Sequence, residues 1–168
     1  MLIAYKGIVP ACHPSVFVAE TARVIGDVEI GEDSSIWFGT VIRGDILRIR
    51  IGKRTNVQDN CTLHVTHNDS LEVGNSVTFG HGAVAHGCAI EDFCMIGIGA
   101  IVLDGSVIGT GSVIGAGALV APRTIVPPHS LVMGVPGKVV KTLAPESAIA
   151  NRITADHYVE YAQAYRKG

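Results

Sequence analysis

Residues 90–120 read IEDFCMIGIGAIVLDGSVIGTGSVIGAGALV. A branched apolar residue returns at every sixth position: Ile90, Ile96, Val102, Ile108, Ile114 and Val120. A helix would bring apolar residues back at three and four, and a strand in a hairpin would alternate at two. Six suits a short strand followed by a turn, with one side chain directed inward per unit. Gly97, Gly109 and Gly115 follow the inward residue, and the fifth position is small at Cys94, Ala100, Ser106, Ser112 and Ala118. Antiparallel hairpins do not keep so fixed a phase.

The phase extends both ways. It continues through Val126 and Val132, and it runs back through Val73, Phe79 and Ala85, through Ile51, Val57 and Leu63, and through Val18, Val24, Ile30, Ile36 and Ile42. Three breaks interrupt it. Ile42 to Ile51 is nine residues, Leu63 to Val73 is ten, and Ala85 to Ile90 is five. The pattern resembles the hexapeptide-repeat family of left-handed parallel β-helices, an all-β fold in which three units make one triangular coil of about eighteen residues. The left hand of that family departs from the usual right-handed crossover. We expect one domain over residues 1–168, with the β-helix at about 11–140. Pro145 is suited to a first helical turn. Beyond it, Ile149, Ile153, His157, Tyr158, Tyr161 and Tyr165 recur at helical spacing, which predicts an amphipathic helix over about 145–166, packed outside the prism.

Composition narrows the function. A net charge of -2 offers no electrostatic case for nucleic acid or an anionic membrane as partner. Met1 to Pro10 does not read as a signal peptide, and Gly and Asp interrupt every candidate for the ~20 apolar residues of a membrane span. The expectation is a soluble cytoplasmic protein. Twenty glycines with 5% aromatic residues suit tight turns around a thin core. Cys12, Cys61, Cys88 and Cys94 form no C-x-x-C pair and read as small buried thiols in a reducing compartment.

The breaks surround the histidines. Arg43 to His64 is 21 residues, one coil plus the three-residue insertion; His64 to His86 is 22, one coil plus four. All three follow the inward residue of their unit, so they stack on one face in successive coils. Strands lie ~4.8 Å apart, so two stacked imidazoles can reach one metal at ~2.0 Å each. His81 falls on the neighbouring face, and Asp59, 22 residues earlier, stacks beneath it. If the two faces meet across a threefold interface, His64 and His86 of one subunit meet His81 of the next. One layer below, Arg43 meets Asp59, a pair that would set the register. His13, His129 and His157 read as surface or capping residues, and His67 as an exposed loop residue.

The segments Arg43-Gly44-Asp45, Asn56-Val57-Gln58-Asp59, His64-Val65-Thr66-His67 and Gly80-His81-Gly82-Ala83-Val84-Ala85-His86-Gly87 resemble, in matching order, the motifs of the γ-class carbonic anhydrases. The resemblance implies a homotrimer with interfacial metal ions that hydrates CO2 to bicarbonate. It implies His64, His81 and His86 as ligands, Asn56 and Gln58 as residues that orient water and substrate, Arg43 and Asp59 as an intersubunit ion pair, and Asp45 as a nearby acid. Tyr158 resembles an aromatic residue of the C-terminal helix that approaches the site. Three neutral imidazoles suit Zn²⁺ with one open position, and Fe²⁺ or Co²⁺ fit the same donors. Two departures stand out: the loop after His64, Thr66 to Leu71, is short, and Ile46 stands where the archaeal prototype has a glutamate. His67, Glu72 and His157 are candidate proton acceptors in its place.

Two other functions remain open. Hexapeptide acyltransferases use a histidine base at a subunit interface and share the Met133-Gly134-Val135-Pro136-Gly137-Lys138 stretch. A metal-dependent coenzyme A thioester hydrolase, or a non-catalytic metal-binding trimer, would use the same three histidines.

Overall fold

The inward positions of the six-residue pattern are buried throughout, apart from the half-buried Val18 of the first coil. They form one continuous apolar column, in which each fully buried Val, Leu, Ile or Phe is worth about 1.5–3 kcal/mol. Around this column the computed structural model, which describes residues 1–167, winds a left-handed parallel β-helix of about seven turns. The first face carries Val24, Ile42, Leu63, Ala85, Val102 and Val120, paired in register one above another. The second carries Ile30, Ile51, Val73, Ile90, Ile108 and Val126. Ile36, Val57, Phe79, Ile96, Ile114 and Val132 line the third.

The breaks in the repeat leave this ladder intact. Leu63 pairs with Ile42 below and Ala85 above, although the sequence separations exceed one regular coil. The extra residues are accommodated at the corner between the first and second faces. There the strands Arg23–Ile30 and Val41–Ile51 run unbroken from face to face, joining the two into one twelve-stranded sheet beside the eight-stranded third. At the corners the small fifth-position residues are buried, and their hydroxyls satisfy carbonyls of the next coil. Ser34 donates to Gly52 O at 2.7 Å and Thr55 to Gly74 O at 2.9 Å. A larger side chain would break the corner, and a purely apolar one would leave those carbonyls short of a donor.

The C-terminal helix, Ser147–Lys167, lies on the third face over the strands Phe17–Val18, Ser35–Ile36, Asn56–Val57 and Thr78–Phe79. It starts two residues later than expected, because Pro145 and Glu146 occupy the preceding turn, where Ala148 N donates to Pro145 O. Its packing face also differs in part from the expected one. Asn151, Ala155, Val159 and Ala162 are buried, while Ile149, Ile153 and Tyr161 are exposed. The reason is the surface beneath: the third face presents Ser35, Trp37, Asn56, Gln58 and Thr78 outward, and small side chains let the helix approach that flat row closely. Arg54 Nη2 donates to Asp156 Oδ1 at 2.6 Å, and Asn151 Nδ2 to Phe93 O at 2.9 Å, fixing the helix along its length. Trp37 takes Tyr158 and Tyr165 edge-on at 5.5 and 5.4 Å.

His13, His67 and His157 are exposed, and His13 Nδ1 accepts from Ser15 N. His129, read as a surface or capping residue, is half-buried, and its enclosed Nδ1 has no hydrogen-bond partner among the described residues. No helix among the described residues is long and apolar enough to cross a membrane.

Candidate metal centre

His64 ends the strand Thr62–His64 and His86 ends Val84–His86. The two are register partners on the first face, and each side chain projects outward because the preceding Leu63 or Ala85 points in. Their rings stand 5.0 Å apart, and His64 Nδ1 lies 3.0 Å from His86 Nε2. The opposite nitrogen of each ring meets a carboxylate. His64 Nε2 is 2.9 Å from Asp45 Oδ1, and His86 Nδ1 is 2.5 Å from Asp104 Oδ1.

The carboxylates constrain the rings. A carboxylate only accepts, so the outer nitrogen of each ring donates, and in the neutral form the inner nitrogen is left as an acceptor. The two inner nitrogens then turn bare lone pairs toward each other, an arrangement that is poor as a hydrogen bond and suited to a shared cation. Two nitrogen ligands of tetrahedral zinc stand about 3.3 Å apart, close to the separation found. The donor pair therefore fits a divalent metal. Within one chain it is only part of a site: no group of three or more His, Cys, Asp or Glu side chains among the described residues is placed to hold an ion.

His81 lies at the corner between the third and first faces, with half its side chain exposed. Gly82 behind it takes φ +69°, which turns the chain sharply into the next strand. Asp59 sits one coil below, as the spacing predicts, and its Oδ2 is 2.8 Å from His81 Nδ1. Each of the three histidines thus has a carboxylate of its own.

Arg43 contacts Asp45 through Nη1, so in the single chain its partner is the nearby acid rather than Asp59. Burial pushes the Asp45 carboxyl up, but the hydrogen bonds from His64 and Arg43 outweigh it and hold the group below its ordinary value. Arg43 is 43% exposed and Asp59 34%, and each keeps hydrogen-bonding capacity free for a partner outside the chain.

Asn56 and Gln58 are buried under the helix side of the same corner. Asn56 Nδ2 donates to Thr78 Oγ1 at 2.8 Å, and Gln58 Nε2 donates to Asn56 Oδ1 at 3.2 Å. Tyr158 comes from the helix; burial first, then the charge of Asp59, raises its phenol above the ordinary value. Ile46 is exposed and lines, with Asp45, Lys6, Arg48 and Asn68, a cleft of about 560 Å³ beside His64's carboxylate partner. Among the candidate proton acceptors, Glu72 is bound to Arg48 at 3.1 Å. Asp104, which no break in the repeat marks, lies 18 residues after His86, one regular coil above it.

Residues 87–122 match the bacterial transferase hexapeptide repeat model. A protein of Geobacillus kaustophilus named carbonic anhydrase is 45% identical over 99% of this chain and 91% of its own length. The chain belongs to the γ-class carbonic anhydrase-like proteins of the hexapeptide-repeat family. A mitochondrial γ carbonic anhydrase of Arabidopsis thaliana is 40% identical over 92% of this γ-class chain, which spans 58% of that longer protein. A solved Bacillus cereus structure, described provisionally as an acetyltransferase, superposes with a TM-score of 0.96 at 43% identity, covering 99% of this chain and 96% of that one.

Proposed function

We propose that three copies of this chain assemble about a threefold axis and reversibly hydrate carbon dioxide at metal ions held between them. The observation that carries this reading is the pair of facing nitrogens on His64 and His86, each made available by a carboxylate on the far side of its ring. His81, exposed on the neighbouring corner, is the third ligand, contributed by the adjacent subunit. Asp59 faces the neighbour's Arg43 one layer below and fixes the register, using the oxygen that His81 leaves free.

A divalent metal on three neutral imidazoles supplies hydroxide at neutral pH, the nucleophile that CO2 requires. Zinc suits the donor set, and ferrous iron or cobalt suit it as well. The chain's own residues do the rest. Gln58 is held by Asn56, which is held by Thr78, and it keeps an amide N–H and its carbonyl oxygen for water or a developing carboxylate. Tyr158 and the helix close the side of the corner next to Asp59. The four free cysteines suit a reducing compartment, and we place the trimer in the cytoplasm.

Stopped-flow CO2 hydration by protein loaded with zinc or cobalt tests the reading, with His81→Ala as the blank. We expect turnover that the substitution abolishes. Retained metal with thioester hydrolysis and no CO2 hydration would transfer the site to coenzyme A esters. Acetyl transfer from acetyl-CoA by metal-free protein would replace the reading with the acyltransferase one.

A further inference from the structure

The third carboxylate, Asp104, stands apart from the other two. Asp45 is shared with Arg43, and Asp59, one coil below His81, is the acid that the proposed interface sets against the neighbour's Arg43. Asp104 belongs to the regular part of the solenoid, where the repeat needs no charge. Its side chain is 41% exposed, so no burial requirement holds it. Among the described residues, the one hydrogen-bonding partner of its carboxylate is His86 Nδ1, at 2.5 Å.

Its backbone is fixed on both sides. Arg123 N donates to Asp104 O at 2.8 Å, and Gly105 N donates to Gly87 O at 2.7 Å, tying this turn to the coil above and to the residue that follows His86. The carboxylate is therefore delivered to one nitrogen of one ring by the rigid ladder. An imidazole has two nitrogens, and the one that binds a metal is selected by the partner of the other. With Nδ1 committed to Asp104, His86 presents Nε2, the atom that faces His64 Nδ1.

We propose that Asp104 is a positioning residue of the metal centre: it sets the tautomer and ring orientation of His86, and its negative charge increases that ligand's basicity. The proposal rests on the reading of His64, His81 and His86 as ligands, and it adds a determinant of metal affinity outside the stretch where the repeat is broken. Asp104 touches neither metal nor substrate and acts through His86 alone.

Cobalt affinity of the assembled protein, measured by chelator competition together with the visible spectrum of the bound ion, tests this. Asp104→Ala should weaken cobalt binding by about 10–100-fold, with the melting temperature of the metal-free protein unchanged. Asp104→Asn retains an oxygen acceptor for Nδ1–H and should lose less than the alanine variant. In the His86→Ala background, where affinity is already low, Asp104→Ala should cause no further loss, which a general structural role would not give. Wild-type affinity in Asp104→Ala, alongside a large loss in His86→Ala, would overturn the positioning role. Wild-type affinity in His86→Ala would instead overturn the ligand reading beneath it.

Discussion

The stretch from Ile90 to Val132 and the stretch from Ile42 to Ile90 share one fold but differ in grammar. In the first, the inward residue returns every six positions without exception, and the outward side chains are mostly apolar or small. In the second, the period breaks three times, and Arg43, Asp45, Asp59, His64, His81 and His86 all fall there. Yet the ladder runs through both in register. The regular half shows what the β-helix needs. The irregular half shows what it tolerates: insertions at corners that leave the core column unchanged and vary the outward side chains. A solenoid can carry a site at little cost to its core because inward and outward positions alternate along each strand.

The two halves should respond oppositely to truncation, and this is the largest effect expected. Ile108→Ala, in the regular half and fully buried, should lose about 2–5 kcal/mol of stability in denaturant unfolding while the folded protein keeps its metal affinity. His64→Ala, in the irregular half, should do the reverse, losing cobalt affinity with little change in the unfolding midpoint of the metal-free protein. A smaller effect should separate two surface cations. Arg43→Ala should weaken the trimer by about tenfold or more in sedimentation, because it removes the cation set against the free oxygen of the neighbour's Asp59 at a covered contact. Lys53→Ala breaks only an exposed pair with Glu32, at 3.3 Å, and should leave assembly as it was. Equal effects would remove Arg43 from the interface.

Much of this was legible in the sequence because the coil converts spacing into position. Once about eighteen residues are one turn, 21 and 22 become stacked neighbours with insertions, and His64 above Arg43 and below His86 follows from counting. The same count places Asp59 under His81, as found. Asp104 obeyed the rule as well; it lies in a stretch where nothing irregular draws attention, and only the 2.5 Å contact marks it. The helix was legible in existence but not in facing. Tyr158 and Tyr165 do pack on Trp37, but Ile149, Ile153 and Tyr161 look outward, because the face below is a row of polar and aromatic side chains that admits Ala155 and Ala162. Side-chain size at a close approach decided the packing, and no periodicity within the helix encodes what lies beneath it.

If each centre is built from two chains, mixing two inactive variants should rebuild it. His81→Ala supplies an intact His64–His86 pair, and His64→Ala supplies an intact His81. If the site lies between subunits, each mixed trimer has one complete centre of three, and random assembly of equal amounts makes roughly three trimers in four mixed. Unfolding and refolding the two together should then restore cobalt binding and CO2 hydration at about a quarter of the sites, from variants that show neither alone. No recovery in verified mixed trimers would mean that His81 works with the His64–His86 pair of its own chain or not at all, and that the centre does not lie between subunits.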